Sequence, residues 1–214
     1  MPLYLYRPIH PEGVIGVWHM AEDEAYFRQH LELFPDEVAL LASIPGQGRR
    51  TEWLAVRYLL HVLSGHTYRG AVTKDEYGKP HLSNSNYQIS FSHSDQLVAV
   101  AAAPTAVGID IQKFVPKIER IAHRFLCEQE NSRLHHADRN WQLHYHWCAK
   151  EAMYKAYGRR QLDFCQNIRV HPIGHTGMDG HSSGWVRKDA FEAEYDLYYE
   201  QINDYLMVWA VEKR

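Results

Sequence analysis

Apolar residues recur at helical spacing in two long stretches of this chain and alternate at strand spacing through much of the rest. Trp53, Val56, Leu60 and Leu63 repeat every third or fourth position, which predicts a helix over residues 50–63 that Gly65 ends. A second strong helix is predicted over residues 141–157, closed by Gly158, and weaker helical patterns cover 21–33, 118–126 and 128–136. Extended pieces are predicted at 3–6 and 14–20, with Pro8 and Pro11 breaking between them. Two more lie at 88–92 and 97–102 around a Ser94-Asp95 turn, and another at 107–110. Pro35, Pro45, Gly46 and Gly48 mark a loop before the first strong helix, and residues 75–80 are rich in turn formers. From Ile168 onward β-branched and aromatic residues alternate, most clearly at 190–199 and 205–211, with a Gly, His and Ser loop over 174–184.

The order of elements is similar in both parts of the chain: a strong Trp-containing helix, then a strand meander. The expected class is therefore α+β, with an internal duplication and no short repeat period of the solenoid kind.

Composition narrows the function. The 214 residues, 45% of them apolar, suffice for one large domain or two small ones sharing an interface. With 23 basic and 26 acidic residues the formal charge is −3, so general attraction to nucleic acid or membrane is not expected and any anion site must be local. Cys127, Cys148 and Cys165 have no metal-type spacing and fit free thiols in a reducing compartment. Residues 1–18 carry charge and prolines where a signal peptide needs an apolar run, and the weakly polar run 97–109 is too short to span a bilayer. A cytoplasmic protein is expected. His135, His136, His144 and His146 invite a zinc reading, but His144 and His146 diverge on a helix, and a polar surface segment is the preferred explanation.

Two constellations carry chemistry. On the strand Val107-Gly108-Ile109-Asp110-Ile111-Gln112, Asp110 and Gln112 share one face while Ile109 and Ile111 point to a core. Asp110 is a plausible ligand for a hard cation, and a charged strand end is the plainer alternative. In the helix Trp147-Cys148-Ala149-Lys150-Glu151-Ala152-Met153-Tyr154-Lys155, one stripe holds His144, Trp147, Glu151 and Lys155. A second holds Tyr145, Ala149, Ala152 and Ala156, small enough in the main for a neighbour to pack closely. Glu151 and Lys155 also form an ordinary i, i+4 pair, worth about 0.3–0.5 kcal/mol.

Taken together, Gly108-Ile109-Asp110 and the Trp147 to Lys155 run resemble the two signature motifs of the 4'-phosphopantetheinyl transferase superfamily. Upstream, Tyr77-Gly78-Lys79-Pro80 and Ile89-Ser90-Phe91-Ser92-His93-Ser94 resemble its GKP turn and its serine-histidine-serine strand end. The pattern is similar to the monomeric two-half type that serves surfactin and enterobactin synthetases. The resemblance implies two similar α/β halves related by a pseudo-twofold, residues 1–107 and 108–214, each a small sheet packed with a long helix, with coenzyme A in one cleft between them. It implies magnesium on Asp110 and Glu151, with Gln112 a further possible ligand where the family usually has a third acid. It also implies phosphate contacts from Lys155, Ser92 and His93, and nucleotide contacts from Lys79 and Pro80. Arg49 and Arg50, read here as opening the first strong helix, are the candidates for the 3'-phosphate, since cations facing the positive helix end favour an anion there.

The activity so implied is transfer of the 4'-phosphopantetheine group of coenzyme A to a serine of an apo acyl or peptidyl carrier protein, releasing adenosine 3',5'-bisphosphate. Glu151, Lys155, Lys150 and His93 are the expected catalytic side chains, with Lys150 assisting the serine proton's departure. A magnesium-dependent phosphohydrolase acting on coenzyme A or another nucleotide, or an inactive binding module for coenzyme A or a carrier protein, would use the same contacts.

Overall fold

The computed structural model describes residues 3–83, 85–173 and 177–213. The α+β expectation holds, with two antiparallel sheets and a long helix on each. In the first sheet β1 (Leu3–Pro8), β2 (Val14–His19), β3 (Val72–Lys74), β4 (Pro80–Leu82), β5 (Gln88–Ser94) and β6 (Leu97–Ala103) take the order β1-β2-β6-β5-β4-β3. In the second, β7 (Val107–Lys113), β8 (Ile168–Val170), β9 (Asp179–Lys188), β10 (Phe191–Ile202) and β11 (Tyr205–Glu212) take the order β7-β11-β10-β9-β8. The change of sheet falls between Ala103 and Val107.

Five helices accompany the sheets among the described residues: α1 (Glu24–His30), α2 (Pro35–Ser43), α3 (Gln47–Ser64), α4 (Glu128–Asn131) and α5 (Arg139–Tyr157), with a 3-10 segment at Pro116–Arg124. Asp23 caps α1, its carboxylate accepting from the Tyr26 N–H at 2.9 Å. Gly65 and Gly158 end α3 and α5 in the left-handed region, at φ 63° and 71°.

Several boundaries differ from expectation. Residues expected as loop form α2, because Pro35 supplies a ready first turn and the Glu37 carboxylate accepts from the Phe34 N–H at 3.2 Å. The first strong helix starts at Gln47, which moves Arg49 and Arg50 into its first turn. The helix expected over 128–136 stops at Asn131, and that over 118–126 is a 3-10 segment. Of the loop expected over 174–184, residues 174–176 lie outside the described residues, and β9 begins at Asp179, paired with β10. None of the described helices is long and apolar enough to cross a membrane.

One core lies in each half and a third joins them. α3 buries Leu54, Leu59 and Leu60 with Val98 and Val100 of β6, and α5 buries Ala149, Ala152 and Met153 with Leu206 and Val208 of β11. Between the sheets, Ile15, Val17, Ala99 and Ala101 meet Val107, Ile109, Ile111 and Met207. The inward direction expected for Ile109 and Ile111 is thus what the shared core uses.

Candidate active site

β7 is built into both halves. Its backbone pairs with β11, Asp110 standing opposite Val208 and Gln112 opposite Leu206. Its other edge is closed by side chains: Ser90, Ser92 and Ser94 of β5 accept hydrogen bonds from the N–H groups of Ile109, Ile111 and Lys113 at 3.0, 3.2 and 3.0 Å. An edge strand that would otherwise present free donors is satisfied by three hydroxyls.

The opposite face of β7 receives α5. Gly108 permits this, because a Cβ there would stand 1.8 Å from the Ala152 carbonyl oxygen and 2.7 Å from the Ala156 nitrogen. The small stripe of α5 therefore rests directly on the strand, Ala149, Ala152 and Ala156 all being buried. Held this close, the helix brings Lys155 over Asp110. The Lys155 ammonium donates to Asp110 Oδ1 at 2.7 Å and to the Ile109 carbonyl at 2.9 Å. Ser92 donates to the same Oδ1 at 2.8 Å, so the carboxylate is oriented from both halves.

Glu151 lies one turn before Lys155 and is half-buried. Burial pushes its carboxyl up to about 7, and the charge on Asp110 adds to the shift while Lys155 opposes it. Two carboxylates that resist joint ionisation, with a neutral amide at Gln112 on the same strand face as Asp110, suit a hard divalent cation completed by substrate oxygens. Among the described residues no group of three or more His, Cys, Asp or Glu converges as a complete metal cage.

A cleft of about 250 Å³ runs between the halves beside this cluster. The turn Tyr77-Gly78-Lys79-Pro80 and Phe91 line one side, and Tyr154, Lys155 and Arg159 the other. Lys74 and Arg159 are exposed on its walls; neither is among the residues expected from the sequence, where a basic residue on a strand and the Arg159-Arg160 pair just past a helix read as ordinary solvated charge. The Lys79 ammonium donates to the Ala156 carbonyl at 2.8 Å, tying the turn of the first half to the end of α5, and burial lowers its pKa. A larger cavity of about 690 Å³ lies wholly within the first half and shares no lining residue with the cleft.

The remaining expected site residues are dispersed. Lys150 is fully buried and turned away from Asp110: its ammonium donates to Glu130 Oε2 at 2.7 Å and to the Phe164 carbonyl at 2.9 Å. Ser92 spends its proton on Asp110 and a lone pair on the Ile111 N–H, which makes it an orienting group for the carboxylate. His93 points to the other face of β5, 56% exposed, with Nδ1 3.6 Å from Glu52 of α3. Arg50 is ion-paired with Glu24 at 2.9 Å, so a carboxylate of the protein answers its charge, and Arg49 is exposed. Neither arginine lines the cleft. His144 and His146 are buried, contrary to a surface reading. His144 Nε2 accepts from the Val115 N–H at 3.0 Å, and its Nδ1 lies 2.8 Å from the Asn140 carbonyl.

Residues 106–208, from β7 through most of β11, match the family model described as the 4'-phosphopantetheinyl transferase superfamily. A 4'-phosphopantetheinyl transferase of Bacillus subtilis is 33% identical over 132 residues, 57% of this chain and 58% of that protein. The 4'-phosphopantetheinyl transferase gsp of Aneurinibacillus migulanus is 33% identical over 111 residues, 50% of this chain and 46% of its own length. The 4'-phosphopantetheinyl transferase ffp of Bacillus subtilis is 36% identical over 111 residues, 49% of each chain. The matched stretch thus spans about half the length of these relatives. Residues 106–208, which carry the glycine-seated helix and the Asp110–Lys155 contact, are thus similar to the 4'-phosphopantetheinyl transferase superfamily.

Proposed function

We propose that this protein transfers the 4'-phosphopantetheine group of coenzyme A to a serine of an apo acyl or peptidyl carrier protein, releasing adenosine 3',5'-bisphosphate. The observation that carries the reading is the close seat of α5 on Gly108, which sets Lys155 on Asp110 at the wall of a cleft between the halves. Residues 1–107 and 108–214 act in this reading as the two sides of one active site. The names of the relatives support the reaction class.

Asp110 and Glu151 would hold magnesium, with Gln112 offering a neutral oxygen beside them. When bound, the cation gathers pyrophosphate oxygens and offsets the charge of the departing phosphate. The chain's own residues supply position and charge. Lys155, half-exposed at the cleft, exchanges part of its contact with Asp110 for a phosphate oxygen. Lys74 and Arg159 are placed to meet the remaining phosphates, and the rigid Lys79-Pro80 turn forms the wall for the nucleotide. Ser92 keeps Asp110 aimed while Lys155 moves. Lys150 has no role in proton transfer here, because its ammonium is committed to Glu130. Arg49, Arg50 and His93 lie outside the cleft lining and receive no phosphate contact in this assignment. We further infer that the protein acts as a monomer in the cytoplasm, where its free thiols stay reduced.

The test is mass spectrometry of an apo carrier protein incubated with the enzyme, coenzyme A and magnesium. Addition of the phosphopantetheine mass to the carrier, lost with Glu151→Gln, is expected. Hydrolysis of coenzyme A without carrier modification would favour a phosphohydrolase, and no change in either would favour a binding module.

A further inference from the structure

We propose that the 690 Å³ cavity of the first half is a binding site for a small amphipathic anion, a medium-chain carboxylate, separate from the transferase cleft. Its size lies within the range of ligand cavities, roughly 300–1,000 Å³. Leu60, Leu63, Val72 and Leu82 give it an apolar wall. At its rim stand three aromatic rings that a folded protein would ordinarily cover: Tyr6, Phe34 and Tyr68 are 55%, 38% and 85% exposed.

The wall also holds an unbalanced charge. Arg57 and Arg69, both nearly buried, share the single carboxylate of Glu37. That carboxylate is fully used. Oε1 accepts from Arg57 Nε at 3.2 Å and Arg69 Nη1 at 3.1 Å, and Oε2 accepts from Arg69 Nη2 and the Phe34 N–H. Arg69 has further support from the Glu32 carbonyl. Arg57 is left with less: Nη1 donates to the Trp53 carbonyl at 3.2 Å, its guanidinium stacks over the Trp53 ring at 3.3 Å, and Nη2 has no hydrogen bond among the described residues. His61, also on the wall, has a buried Nδ1 without a partner among the described residues.

Two buried cations and one anion leave an excess of one positive charge beside a chamber walled in part by leucines and valines. Such a charge is costly in a low-dielectric site unless an anion joins it. Burial lowers the Arg57 pKa to about 10, as expected for a guanidinium whose charge is incompletely answered. A ligand with one negative charge and an aliphatic body satisfies both features, its head on Arg57 and its chain against the leucines. An ammonium head would meet repulsion, and an alcohol would leave the charge unanswered.

The experiment is titration calorimetry of the whole protein with octanoate, octan-1-ol and octylamine, repeated with Arg57→Met and Ala71→Leu. Ala71→Leu adds bulk at a residue of the cavity wall while Glu37, Arg57 and Arg69 themselves stay unsubstituted. Saturable one-to-one binding of octanoate is expected, at least tenfold weaker for the alcohol and the amine and at least tenfold weaker in both variants. Absence of saturable octanoate binding, or equal binding by the Ala71→Leu variant, would overturn the proposal. Should Arg57→Met fail the circular dichroism check for folding, Ala71→Leu and the octylamine comparison decide alone. No coenzyme A or carrier enters the measurement, so its outcome is independent of the transferase reading.

Discussion

Ser92 Oγ stands 2.8 Å from Asp110 Oδ1 and donates its proton to it, while the same oxygen accepts from the Ile111 N–H at 3.2 Å. One hydroxyl thus aims a carboxylate and closes a strand edge. Ser92→Ala is expected to lower stability by about 1–3 kcal/mol, the cost of an unmet buried donor. If Asp110 holds magnesium as proposed, the variant should also slow transfer more at low magnesium than at saturation, because its carboxylate is less well oriented. Urea unfolding and magnesium-dependent single-turnover rates measure the two effects separately. Unchanged magnesium dependence in a folded variant would confine Ser92 to a structural role.

Gly108 and Gly48 make a matched pair of tests. Gly108→Ala places a methyl group on the Ala152 carbonyl, so α5 must lift from β7, and a loss of several kcal/mol with loss of activity is expected. Gly48 lies in the first turn of α3 with nothing near its would-be Cβ, and Gly48→Ala is expected to leave stability unchanged or raise it by up to about 1 kcal/mol. Thermal unfolding of both variants checks the contrast.

The two lysines of the α5 motif should fail in different ways. Lys150→Met strands the Glu130 carboxylate in the interior, and a loss of about 3–5 kcal/mol is expected from breaking a buried pair on one side. Lys155→Met removes a half-exposed ammonium and should cost less stability, with turnover falling by orders of magnitude at about 1.4 kcal/mol of barrier per tenfold. Urea midpoints and single-turnover rates on the same preparations distinguish them. A stable, inactive Lys150→Met protein would restore Lys150 to the catalytic group.

Acid should weaken the fold through His146. Burial holds its pKa at about 4, below the ordinary value of about 6.5, so the unfolded chain binds a proton that the folded one refuses. The associated stability is fully present above pH about 6.5 and lost as pH falls toward about 4. The loss amounts to about 3 kcal/mol across that window, from about 1.4 kcal/mol per pH unit. His146→Gln should flatten the slope of unfolding free energy between pH 6.5 and about 4, which urea titrations at stepped pH would record.

Local pattern carried much of this architecture. The period-two alternation of residues 107–112 predicts that Ile109 and Ile111 enter a core while Asp110 and Gln112 face elsewhere, and that is how β7 is used. The alanine stripe of α5 likewise announces a close neighbour, although only the structure shows that Gly108 is what it meets. Contacts between distant segments left no such mark. Glu130 with Lys150, Glu24 with Arg50, and Lys79 with the end of α5 are each fixed by tertiary packing, and charge spacing along the chain is blind to it. Lys150 and Arg50 therefore look available in sequence and are occupied in the fold. The serine ladder was within reach: Ser90, Ser92 and Ser94 repeat at the period of one strand face, a polar row where an alternating strand bordering a core would carry apolar residues.

That row of hydroxyls also bears on how the molecule comes apart and on how wide its cleft stands. A hinge needs a seam where few bonds cross, and here the seam is a strand stitched on both edges and flanked by a core common to both sheets. Tryptophans on either side, Trp53 in α3 and Trp147 in α5, are accordingly expected to report a single melting event rather than two, which tryptophan fluorescence on heating checks. The cleft has the character of a cast mould and not of a jaw: with no loose seam between the sheets, its width is expected to stay the same whether it is empty or filled.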